Sequence, residues 1–188
     1  ATAAQPLPRD VWMDGIQVMV ARDRAGSDQG FFVAAKGGHN DESHNHNDVG
    51  NVVLYRDGRP VLIDAGVEAY SSKTFSPDRY DIWTMQSGYH NLPTVNSVMQ
   101  EPGKRFAARD LSYAADDASA SLTLDIADAY PQEAGLRPWR RTVTLNRGCD
   151  VRIADTFETA ITWDRFDALH AALVQRVRGG MKGGCGAG

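Results

Sequence analysis

The chain has 188 residues, 42% apolar and 23% charged, with a net charge of −4. That length suffices for one domain with a real core and argues against two independent ones. The acidic balance argues against nucleic acid as a partner, because phosphate binding needs a basic face. No apolar run reaches the roughly 18 residues that a membrane-spanning helix requires. Cys149 and Cys185 lack a Cys-x-x-Cys spacing, which excludes a cysteine-built zinc site and leaves a single disulfide open. The sequence starts at Ala1 with no visible leader, so a mature form or a piece of a longer protein is expected.

In chain order, residues 1–10, with Pro6 and Pro8, read as an extended lead-in. Gly15 to Ala21 alternates with Ile16, Val18 and Val20 on one face, the pattern of a half-buried strand. Arg22 to Asp28 is a charged turn, and Gly30 to Lys36 is a short apolar run expected to be a buried strand. Val52–Tyr55 and Pro60–Ile63 flank Arg56-Asp57-Gly58-Arg59, a hairpin signal because Asp-Gly accepts the positive φ angles of a tight turn. Ser119 to Ile126 alternates strictly, with Ala120, Leu122, Leu124 and Ile126 inward. Arg141–Leu145 and Val151–Ile153 form a second hairpin around Asn146-Arg147-Gly148.

Short strands at this spacing predict an all-β fold, an antiparallel β-sandwich over residues 11–160. At the end, Phe166, Leu169, Leu173 and Val177 recur at helical spacing, so residues 161–188 are expected to be one amphipathic helix and a disordered glycine-rich tail outside that fold.

The chemistry is concentrated between Lys36 and Gln100, where four of the five histidines (His39, His44, His46 and His90) are interleaved with carboxylates and carboxamides. On a strand, His44 and His46 project to the same side and present two imidazoles to one point. Asp64 follows the strand after the Asp57-Gly58 turn, which brings it back towards His46, and His90 is the remote third donor. Two imidazoles and a carboxylate suit zinc, with a fourth position left to water or substrate. A purely structural hydrogen-bond cluster of the same three residues is the alternative. His39 reads as a loop residue, His170 as packing or surface, and Asp48 as a residue stabilising its own turn. The metallo-β-lactamase pattern fails at Val49, where it requires histidine, and a cupin would need a glutamate that Val49 to Val52 do not supply.

Ser43-His44-Asn45-His46-Asn47-Asp48-Val49-Gly50-Asn51, then Gly58 to Gly66, Tyr70 and Tyr89-His90-Asn91, resemble the heparinase II/III family of polysaccharide lyases. The resemblance covers Ile16 to Phe157. It implies the C-terminal β-sandwich of an enzyme whose N-terminal α/α toroid is missing here. It further implies a structural zinc on His46, Asp64 and His90, with His44 directed into the cleft towards a substrate uronate. Tyr70 and Tyr80 are the candidates for a catalytic tyrosine. The residue pattern alone leaves His44 either a catalytic group or a metal ligand.

The implied reaction is β-elimination on a uronic-acid polysaccharide, glycosaminoglycan or alginate, met in the periplasm or outside the cell. This portion alone is expected to be weak or inactive. A non-catalytic carbohydrate-binding sandwich and a zinc-dependent hydrolase are the competing readings.

Overall fold

The computed structural model describes residues 6–159, 166–168 and 174–178. Strands are β1 (Asp10–Met13), β2 (Val18–Arg22), β3 (Phe31–Lys36), β4 (His39–Asn40), β5 (Val52–Arg56), β6 (Arg59–Leu62) and β7 (Pro93–Val95). They continue with β8 (Gly103–Ala107), β9 (Arg109–Ala115), β10 (Ser119–Asp125), β11 (Leu136–Asn146), β12 (Asp150–Thr159), β13 (Phe166–Ala168) and β14 (Val174–Arg178). One five-stranded sheet has the order β1-β2-β3-β5-β6, the other β14-β12-β11-β10-β9, and every pairing within them is antiparallel. β3 of the first sheet packs against β11 and β12 of the second. The architecture is the expected β-sandwich.

The core lies between the sheets. The first contributes Met19, Ala21, Phe31, Val33, Ala35, Val52 and Leu54. The second contributes Ala120, Leu122, Leu124, Val143, Leu145 and Val151, so the alternation read for Ser119–Ile126 holds along its length. β2 turns the other way from expectation. Met19 and Ala21 are fully buried, whereas Val18 and Val20 are half-buried and Ile16 is exposed in a short 3₁₀ turn. Both faces of this segment are apolar, so its own pattern does not choose between them. Pairing does: Met19 lies opposite Ala35 and Ala21 opposite Val33, whose side chains face the second sheet.

The hairpin turn is as expected, with Arg56 paired to Arg59 and both Asp57 (φ 50°) and Gly58 (φ 70°) at positive φ. The expected helix falls largely outside the described residues. Its two described pieces are strands, β13 on β7 and β14 on β12. The free edge of β12 supplies β14 with the ladder hydrogen bonds that a lone helix would have to make internally. His170 and the glycine-rich tail also lie outside the described residues. Cys149 is disulfide-bonded. Among the described residues no helix is long and apolar enough to cross a membrane.

Candidate metal centre and the open aromatic cluster beside it

The histidine-rich segment is a loop, and this corrects the strand geometry expected for it. Between Asp41 and Asn51 the chain makes no ladder, and His44 takes a left-handed conformation (φ 57°). Its backbone groups are satisfied from elsewhere, as buried polar groups must be. Arg79 donates from Nε (2.9 Å) and Nη2 (2.7 Å) to the Asn45 carbonyl, and the Asn47 N–H donates to Met85 O (2.9 Å). The side chain of buried Gln100 bonds both the N–H (3.1 Å) and the carbonyl (2.8 Å) of Val49. The irregular path therefore separates His44 from His46. Among the described residues the Asp48 carboxylate makes none of the bonds expected to the backbone of its own turn, and pairs instead with Lys36 Nζ.

The other two candidates arrive on the long excursion between β6 and β7. β6 ends at Leu62, two residues before Asp64, and four successive 3₁₀ turns carry the chain from Ser72 to Tyr89. Two asparagines fasten both ends of this excursion to β5. The Asn91 amide donates to the carbonyls of Val52 and Ile63 (both 2.9 Å), while Asn51 Oδ1 accepts from the N–H of Asn91 (3.1 Å) and of Val52 (2.9 Å).

The result is convergence. One donor atom from each of His46, Asp64 and His90 lies within 4.8 Å of the others, a group able to hold a metal ion. His90 is buried, with Nδ1 2.7 Å from Asp64 Oδ2, and the His46 and His90 ring centroids are 5.4 Å apart. Asn51 Nδ2 donates to the same oxygen, Asp64 Oδ2 (2.6 Å), and the Gly66 N–H to Asp64 Oδ1 (2.8 Å). Burial works to raise the Asp64 carboxyl. The hydrogen bond and charge of His90, with the Gly66 and Asn51 donors, outweigh it and hold the group at about 2. Burial lowers the His46 pKa and, with the nearby His90, outweighs the opposing pull of Asp48 and Asp64. Both groups are thus kept in the forms that ligate metal, carboxylate and neutral imidazole. His90 Nε2 is buried without a hydrogen-bond partner among the described residues, as a nitrogen left for a metal ion would be. The donor set fits zinc.

His44 is not part of this group. Its ring lies 6.1 Å from that of Tyr70, nearly parallel, and 6.2 Å from that of Phe75, which meets Tyr70 edge-on at 5.5 Å. All three are exposed, so His44 and Tyr70 come together on an open surface. Tyr80 does not join them: it is half-buried beneath the loop, where its hydroxyl accepts from Asn45 Nδ2 (3.3 Å).

Arg141, buried in β11, carries no signal in sequence beyond its place in an alternating strand. It grips Asp155 through Nε (2.8 Å) and Nη2 (2.9 Å), and its Nη1 donates to the carbonyls of Gly50 and Asn91 (both 2.9 Å). The loop that follows His46 and the residue that follows His90 are thereby tied to one guanidinium. Arg79 and Gln100 are equally silent as letters, since each acts on main-chain atoms of a distant loop.

A sequence search of curated proteins finds no match. Solved structures do match. The heparan sulfate lyase HepC from Pedobacter heparinus aligns with a TM-score of 0.64 at 19% identity, over 82% of this chain and 23% of that one. A crystal structure of heparinase III aligns with a TM-score of 0.59 at 18% identity, over 83% of this chain and 23% of that one. The chain therefore spans about a quarter of the length of these relatives, and at such identity the likeness concerns the fold. The family model described as heparinase II/III-like, C-terminal, matches residues 7–172. The chain belongs to the heparinase II/III-like C-terminal family.

Proposed function

We propose that this chain is the sandwich portion of a polysaccharide lyase that cleaves uronic-acid polysaccharide, of glycosaminoglycan or alginate type, by β-elimination. The reading rests on the division of the histidine loop: His46 turns into a closed group with Asp64 and His90, while His44 faces outward beside Tyr70. His46, Asp64 and His90 would hold a structural zinc, whose contribution when bound is to cross-link the loop to the excursion.

In the elimination the C5–H bond of the uronate breaks and its proton passes to a base. The C4–O4 bond then breaks, a C4=C5 double bond forms, and O4 takes a proton from an acid. His44 faces the uronate carboxylate, where a ring N–H donated to it offsets the negative charge that builds up as C5 loses its proton. Tyr70, the neighbouring exposed hydroxyl, is the sandwich's candidate for carrying the proton. Tyr80 is the weaker candidate because its hydroxyl is engaged by Asn45. The remaining groups belong to an α/α toroid outside this chain, and this portion alone is weak or inactive. Such a substrate places the enzyme in the periplasm or outside the cell.

The test is the ultraviolet absorbance of unsaturated uronate when the full-length enzyme meets acidic polysaccharides. Product that His44→Ala lowers by about 100-fold or more supports the reading. Saturated product, lost on chelation, would identify a zinc hydrolase instead. Binding without turnover would identify a non-catalytic saccharide module, a reading favoured by the exposed rings of Tyr70 and Phe75.

A further inference from the structure

Trp83 and Tyr89 form a second exposed aromatic group, 47% and 50% accessible, with ring centroids 5.2 Å apart and planes at 77°. Leaving two large rings half in water forgoes the stabilisation that burial would give them. Their turns are nevertheless rigidly anchored. Trp83 opens the turn Trp83–Met85, in which Thr84 and Met85 are buried, and Tyr89 closes the turn Ser87–Tyr89, in which Ser87 is buried. Each turn is also tied to the histidine loop. Met85 O accepts from the N–H of Asn47, the residue after His46, at 2.9 Å, and Ser87 Oγ accepts from the N–H of Gln100, which clasps Val49, at 2.8 Å. Tyr89 directly precedes His90, so their Cα atoms are ~3.8 Å apart.

We propose that Trp83 and Tyr89 form a saccharide-stacking subsite that holds a sugar ring of the polysaccharide one or more residues away from the bond cleaved. This rests on the lyase reading above. The edge-to-face pairing holds the rings against each other, and each keeps about half its surface exposed to meet the C–H side of a pyranose. The indole N–H and phenol O–H make no hydrogen bond among the described residues and are available to sugar hydroxyls. Because the pair is fastened to the residues after His46 and before His90, a sugar stacked there is in fixed register with the metal centre. A protein surface covering the pair is the competing occupant.

The experiment measures kcat and KM of the full-length enzyme and its Trp83→Ala, Tyr89→Ala and Trp83→Phe variants on a size-graded series of uronic-acid oligosaccharides. Expected for both alanine variants is a KM raised about tenfold on the longer members, equivalent to ~1.4 kcal/mol. On the shortest cleavable member KM changes little. Metal content, Tm and kcat stay near the parent values, and Trp83→Phe retains most of the affinity. An unchanged KM on the long substrates overturns the subsite and leaves the lyase reading standing. A lowered Tm with a length-independent loss of activity also overturns it, and points to a protein surface over the pair. If the parent cleaves nothing, calorimetry with heparan sulfate, chondroitin sulfate and alginate hexasaccharides still decides. Binding that Trp83→Ala abolishes keeps the subsite while the lyase reading falls, and no binding by the parent overturns both.

Discussion

His90 Nδ1 and Asp64 Oδ2 stand 2.7 Å apart although 26 positions separate them in the chain. Asp64 follows the end of β6, His90 follows four turns of irregular chain, and Asn51 and Asn91 close the excursion between them onto β5. The candidate metal centre is thus held together by amide side chains that grip backbone as well as by the contact between the donors themselves.

His44 and His46 are two residues apart and have separate duties in this account. His44→Ala should lower turnover about 100-fold or more in the full-length enzyme, with unchanged metal content and Tm. A parallel fall in metal content would return His44 to the ligand set.

Asp155→Ala leaves the Arg141 guanidinium buried without its anion and withdraws the acceptor of the Trp139 indole N–H (3.0 Å). The cost is about 3–5 kcal/mol, a fall in Tm on the order of 10 °C. Metal affinity should weaken too, since Arg141 also holds the carbonyls of Gly50 and Asn91. Calorimetry of metal-loaded and chelated protein reads both effects; a Tm within 2 °C of the parent would contradict this role.

Gly50 sits at φ 91°, and a Cβ there would lie 2.8 Å from Cγ2 of buried Ile126. Gly50→Ala should cost about 1–3 kcal/mol through backbone strain and overpacking. Urea unfolding measures it, and a neutral substitution would mean that the turn after His46 can move away from Ile126.

Acid should destabilise the metal-free protein through His46. Its folded pKa lies below the ordinary value of 6.5, so the unfolded chain takes up the proton first. The sign follows: stability is full above about pH 6.5 and declines as pH falls below it. Urea midpoints of chelated parent and His46→Gln at pH 7.5 and pH 5.5 test this. The parent should lose more than the variant, and equal losses would remove His46 as the cause.

Sequence alone carried much of this. The strict alternation of Ser119–Ile126 specified which face is core, and Asp57-Gly58 specified a two-residue turn, because each is a local steric or burial rule. His46, Asp64 and His90 were legible as candidate donors because their chemistry is rare in a loop, and the fold brings them together. What stayed hidden depends on partners far along the chain. β2, apolar on both faces, takes its inward side from β3. The path of the His44–His46 loop is set by Arg79 and Gln100, ordinary polar residues until the fold brings them near.

The most direct test is the metal content of purified full-length protein, measured for the parent, His90→Ala, Asp64→Asn and His44→Ala, each confirmed folded by circular dichroism. The account predicts about one zinc per chain in the parent and in His44→Ala, and a strong loss in the other two. A folded parent that binds no metal when zinc is supplied would contradict it.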